Sequence, residues 1–140
     1  MAKLKLELDP DPEVTVIGIS SHVNDYRLCW SLNRSLGLTM SRCERDIVES
    51  HQGRSTAYAL FAHDVPELEG GYLLVSNHGT DGILLKEQRH ADFFLVVDNA
   101  VAEREPDLLD RVRAAEFVLT AFPLPFANIR MGHKLLPEFS

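Results

Sequence analysis

The chain is written in short stretches of period two broken by two stretches of helical period. Residues 3–8 set Leu4, Leu6 and Leu8 against Lys3, Lys5 and Glu7, the alternation of a half-buried strand, and the prolines of residues 9–12 make a stiff turn after it. Residues 14–19 are rich in β-branched side chains and nearly all apolar, as an interior strand should be. The period then changes. At about 100° per residue, Tyr26, Cys29, Trp30, Leu32 and Leu36 fall on one arc, and Arg27, Ser31, Arg34 and Ser35 on the opposite one. Ser20 and Ser21 are expected to cap this helix, Asp25 to complement its positive end, and Gly37 to close it in a left-handed conformation. Such a helix buries Trp30 and turns two arginines to water.

Asn33 falls inside the apolar arc. A buried amide left without partners costs about 1–3 kcal/mol, so Asn33 is expected to be hydrogen-bonded, tying the helix to a neighbouring loop or strand; the alternative is a polar group lining a pocket.

Downstream, Leu38 and Met40 alternate inward against Thr39 and Ser41, and the polar residues 46–53 are left open between a strand and an excursion. Residues 55–62 read as one strand, with Tyr58, Leu60 and Ala62 on one face and Ala57, Ala59 and Phe61 on the other. Residues 71–77 form a further strand, 77–82 a hairpin turn and 83–85 its return. Residues 92–98, DFFLVVD, are the most strand-like run in the chain. Residues 103–115 predict a second helix, with Pro106 at its start and Leu108, Leu109, Val112 and Ala115 facing inward. Residues 117–124 form the last strand, and residues 126–140 carry no clear period and are expected to be a loosely ordered tail.

Short antiparallel strands with one early and one late amphipathic helix predict a single α+β domain over residues 1–140. Two helices cover one face of such a sheet. In residues 92–98 both parities are apolar, Phe93, Leu95 and Val97 against Phe94 and Val96, so the second face is expected to be covered as well, by a tail, a strand or a second subunit. On that ground a homodimer is expected.

Composition narrows the function. Fourteen basic and 21 acidic residues give a net charge of −7, with no basic run. Phosphate contacts need clustered Lys and Arg, so nucleic acid and anionic membrane are excluded as expected partners. No apolar run approaches a membrane span, no secretory signal is recognisable, and two cysteines make no disulfide framework, so a cytoplasmic protein with reduced thiols is expected.

No glycine-rich phosphate loop, nucleophile elbow or paired-histidine metal helix is present, and no cofactor or metal site is predicted. Glu87, His90 and Asp92 form the best polar cluster: two carboxylates and an imidazole can divide acid and base duty, or simply decorate a solvated turn with Asp92 accepting backbone N–H groups. Ser76-Asn77-His78-Gly79 places a hydroxyl beside an imidazole, yet Asn and Gly there are what a hairpin turn requires. Arg27 and Arg34, seven residues apart and followed by Arg42 and Arg45, are the one concentration of positive charge, suited to an acidic protein or a phosphate-bearing group, or to plain solvation.

Residues 18–38 (GISSHVNDYRLCWSLNRSLGL), 72–85 (YLLVSNHGTDGILL), 92–98 and 118–124 (VLTAFPL) resemble the IPExxxVDY family of small bacterial proteins over nearly the whole chain. The motif that names the family is kept only at Glu87 and Asp92: Leu85-Lys86-Glu87 stands for IPE and Ala91-Asp92-Phe93 for VDY. The resemblance implies a cytoplasmic domain and carries over no catalytic residue or cofactor. The reading expected from the sequence is a non-enzymatic protein-interaction module with Arg27 and Arg34 on its surface. The alternative is a small-ligand binder or small enzyme with a polar pocket near Asn33, Glu87, His90 and Asp92.

Overall fold

A computed structural model describes residues 13–136. The predicted strand at 3–8, the turn at 9–12 and the last four residues of the tail lie outside the described residues. Within them the chain is α+β, as its patterning predicts. Strands β1 (Val14–Ser20), β2 (Ser41–Arg42), β5 (Leu60–Val65), β6 (Gly70–Ser76), β7 (Phe93–Asp98) and β8 (Thr120–Leu124) form one sheet, while β3 (Ile47–His51) and β4 (Arg54–Tyr58) form a separate hairpin. The large sheet runs β2-β5-β6-β7-β1-β8, and every neighbouring pair is antiparallel. Its helices are α1 (Asp25–Leu36), the single turn α2 (Asn99–Ala102) and α3 (Leu108–Ala114).

The helices cover one face. Leu28, Cys29, Leu32 and Leu36 of α1 and Leu108 and Val112 of α3 close over Ile17, Ile19, Leu74, Leu95 and Val97 of the sheet. Each fully buried leucine there contributes about 1.5–3 kcal/mol. The boundaries of α1 are set by Asn24, whose side chain accepts from the Arg27 N–H at 2.9 Å, and by Gly37 at φ 69°. The predicted cap at Ser20 and Ser21 is thus corrected. Their hydroxyls donate elsewhere, to the carbonyls of His90 and Phe117.

The orientation of α1 also departs from the predicted arc. Ser31 is buried, whereas Tyr26 is 60% and Trp30 50% exposed. The reason is α3: Ser31 donates to the Glu116 carbonyl and Ser35 to that of Arg111, so two small hydroxyls let the helices approach closely. The Arg111 guanidinium in turn donates to the Ser35 carbonyl at 3.0 Å. Polarity marked these serines for water; their size put them at the contact.

The second predicted helix is shorter than its pattern: within residues 103–115 only α3 is helical, beginning after Pro106 and Asp107, and the single turn α2 lies ahead of that range. Its inward stripe holds, with Leu108, Val112 and Ala115 buried and Leu109 packed against them. Residues 55–62 are two strands. The face assignment survives for Tyr58 and Leu60, but the chain leaves one sheet for the other at Ala59. Residues 46–53 resolve as β3 and its turn, in which Gln52 (φ 53°) and Gly53 (φ 79°) both take left-handed backbone, the geometry that matches the twist of a tight hairpin.

Part of the second face is covered by this chain itself. Leu84, Leu85 and Ala91 from the β6–β7 connection, Tyr58 of the hairpin, and Ile129 and Leu135 of the tail pack on Val16, Val75, Phe94 and Val96. Of the covers that the two-sided apolarity of β7 predicts, a tail, a strand or a second subunit, the tail is one that packs on Phe94 and Val96. The tail is more ordered than its lack of period suggests: it makes two 3-10 turns, Phe126–Asn128 and Gly132–Leu135. Lys134 Nζ fastens it to Glu49 at 3.1 Å and to the Leu84 carbonyl at 3.4 Å. No described helix is long and apolar enough to cross a membrane.

Candidate functional site

The outward face of α1 carries the surface with the most distinctive chemistry. Tyr26, Trp30 and Arg34 are spaced four apart and line up along it. The Arg34 guanidinium lies 5.1 Å from the Trp30 ring centroid, and that of Arg27 4.6 Å from the ring of Phe117, which sits on the segment leading into β8. Tyr26 and Phe61 meet edge to face at 5.5 Å, and the Arg42 guanidinium lies 5.8 Å from the Phe61 ring and donates to the Tyr26 hydroxyl at 3.4 Å. Leu119, two residues after Phe117, is 56% exposed. Stacked guanidinium groups are held by the ring quadrupoles and keep their N–H donors free for a partner. The sequence reading had the arginines on this surface and missed the two aromatics, although their spacing with Arg34 was legible.

The residues of the predicted polar pocket do not meet. Asn33 Oδ1 accepts from the Met40 N–H at 2.8 Å, and its Nδ2 donates to the Met40 carbonyl at 3.1 Å. It is the structural tie between α1 and the strand region after it. Asp92 immediately precedes β7, where its two oxygens accept from the Ser21 N–H at 2.9 Å and face His78 Nε2 at 3.0 Å. Its backbone joins β1 to the β6–β7 connection through Ile19 and Asn77. His90 stacks on Phe122 with centroids 5.0 Å apart. Phe122 lies across Gly18, where an added Cβ would come within 2.6 Å of the ring. Among the described residues Glu87 faces Arg130, at 3.7 Å and with the Arg130 side chain 88% exposed, a pair worth little in water.

His78 and Asp92 form a half-exposed pair, but Ser76 Oγ donates to the His78 backbone carbonyl at 2.9 Å and so is not aimed at the imidazole. Asn77, read as a turn residue, is fully buried. Its amide donates to the Ala91 carbonyl at 2.9 Å and the Gln88 carbonyl at 3.1 Å, and accepts from the Leu85 N–H at 2.7 Å. Residues 83–85 consequently make no returning strand: one bridge at Ile83 closes the turn, and the chain then wraps around Asn77.

A half-open groove of about 970 Å³ lies on the second face of the sheet. Leu60, Leu73 and Val96 of the sheet line it together with Val14, with Ile47, Val48 and Glu49 of β3, and with Leu136. None of Asn33, Glu87, His90 or Asp92 lines it. Cys43 does, and burial followed by the charge of Asp64 pushes its thiol up. On the other side of the sheet, burial pushes the Cys29 thiol up to about 11. Among the described residues, no three His, Cys, Asp or Glu side chains converge as a ligand set.

In comparison with known proteins, no family model matches the chain, and no curated protein is significantly similar to it.

Proposed function

We propose that the chain is a protein-interaction module that recognises an acidic partner through the outward face of α1. The observation that carries this reading is the exposed line Tyr26–Trp30–Arg34, flanked by Arg27 on Phe117. Trp, Tyr and Arg are the residue types in which binding energy concentrates at protein interfaces. Two aromatics half exposed on a helix whose other side seals the core have no role in folding that requires their exposure. Arg27 and Arg34 give this face a positive sign in a chain of net charge −7, which favours a carboxylate-rich partner and disfavours the long polyanion of nucleic acid.

The resemblance to the IPExxxVDY family belongs to the same reading, since Leu85, Ala91 and Asp92 serve packing and hydrogen bonding in the β6–β7 connection. A small enzyme at Asn33, Glu87, His90 and Asp92 draws no support from side chains that are separately engaged.

The single tryptophan makes the test direct. Titration with a glutamate-rich peptide is expected to change Trp30 emission saturably, with an affinity that falls as salt rises. Unchanged emission, together with identical affinity-purified partners for the wild type and Arg34→Glu, would overturn the proposal. A second copy of the chain is the alternative occupant, and light scattering at micromolar concentration separates the two.

A further inference from the structure

Arg27 and Arg34 are seven residues apart on α1, so their Cα atoms lie about 10.5 Å apart along its axis and point within about 20° of one direction. Trp30 stands between them, turned by no more than about 60° from either. Both arginines are exposed, and each guanidinium is steadied on a ring, Arg27 on Phe117 and Arg34 on Trp30. Arg42 differs, because Asp46 takes its charge at 2.6 Å. What this face offers a partner is a pair of cations at a set spacing, astride an indole. Phe117 adds an independent observation. Its backbone takes φ 75°, a conformation that a bulky aromatic residue rarely adopts, and the Ser21 hydroxyl holds it there by donating to its carbonyl at 2.7 Å. Strain of this kind clusters at ligand clamps and switch regions, and here it sits directly under Arg27.

We infer that the acidic partner of α1 is itself an α-helix, with two carboxylates seven residues apart and an aliphatic residue between them on the same face. The inference rests on the reading of α1 as a recognition surface and adds the partner's conformation. Spacing carries it. On an extended strand, side chains on one side recur about every 6.7 Å, so carboxylates fall about 7 or 13 Å apart and straddle the arginine pair without matching it. On a helix, residues i and i+7 reproduce both the spacing of about 10.5 Å and the offset of about 20°, and residue i+3 or i+4 meets the indole. An amphipathic helix laid along a helix face is an established mode of peptide recognition.

Three synthetic peptides of one composition test this on the full chain, each an alanine- and glutamine-rich host with two glutamates, one leucine and one proline. In the first the glutamates are seven apart with the leucine four after the leading one, and the proline is at the N-terminus. In the second the glutamates are five apart, which turns them about 140° from each other on a helix. The third keeps the first spacing and moves the proline to the centre, where it breaks the helix. Binding is read from the emission of Trp30, the single tryptophan. The first peptide is expected to bind about fivefold tighter than either of the others, the worth of one well-placed exposed ion pair. Arg27→Gln and Arg34→Gln are each expected to erase that preference with the circular dichroism unchanged. Because the peptides are what vary in the main comparison, it does not depend on how either variant folds. Equal affinity for all three peptides, or tightest binding of the proline-centred one, overturns the helical partner and leaves α1 as a site for acidic chains. A preference that survives loss of either arginine overturns the pairing as well. No response of Trp30 to any of the three overturns both the inference and the reading beneath it.

Discussion

Asn77 sits beneath the loop that joins β6 to β7, and replacing it with alanine isolates the value of that loop's buried backbone. The wild-type amide satisfies the Leu85 N–H and the carbonyls of Gln88 and Ala91, and Leu85 and Ala91 are themselves 1% and 0% exposed. Alanine leaves at least one donor and one acceptor buried without a partner. At about 1–3 kcal/mol each, and with water able to reach the half-buried Gln88, the expected loss is about 2–4 kcal/mol. For a chain of this length that lowers the thermal midpoint by roughly 6–14 °C. The assay is urea denaturation followed by circular dichroism and by Trp30 emission, whose coincidence tests two-state behaviour. Asn77→Asp is the sharper companion. It keeps an acceptor for the Leu85 N–H but turns a carboxylate toward two carbonyl oxygens, so at neutral pH it should be at least as unstable as the alanine variant. A loss below about 0.5 kcal/mol for Asn77→Ala would mean that water or a rearranged loop replaces these bonds, and the account of the β6–β7 connection would fail.

Trp30→Ala should leave stability within about 1 kcal/mol of wild type, since half the ring already faces water, yet abolish binding of a glutamate-rich peptide by calorimetry; a parallel loss of both would mark the residue as structural. Gly53→Ala places a Cβ on backbone at φ 79° and should cost about 1 kcal/mol in urea unfolding, with the β3–β4 hairpin as the affected unit. Cys29 titrates at about 11 in the folded chain against 9.0 as its ordinary value, so the native state favours the thiol. Its contribution to stability is complete below pH 9 and is lost as pH rises toward 11. Cys29→Ala should flatten the decline of the denaturation midpoint over that window, while the raised tyrosines Tyr58 and Tyr72 leave some slope of the same sign.

The sequence by itself determined the class of the fold, because that information is local. Period two with β-branched residues specified the strands at β1, β6 and β7, and the two-sided apolarity of β7 required cover on both faces. Gly37 announced the end of α1, and Asn33 its tie to the following segment. Other features depended on which surfaces meet, and no local pattern carries that. Whether Ser31 or Trp30 turned inward was decided by the approach of α3, where small hydroxyls with carbonyl partners fit and an indole does not. Asn77 is the same residue type in a solvated turn or a buried hub. Only the return of Leu85, Gln88 and Ala91 around it made it the latter. The proposed recognition surface was half legible for the same reason. Charge placed Arg27 and Arg34 in water, but the aromatics beside them became exposed through long-range packing, which fixes the rotation of a helix to a few tens of degrees that hydrophobicity alone leaves free.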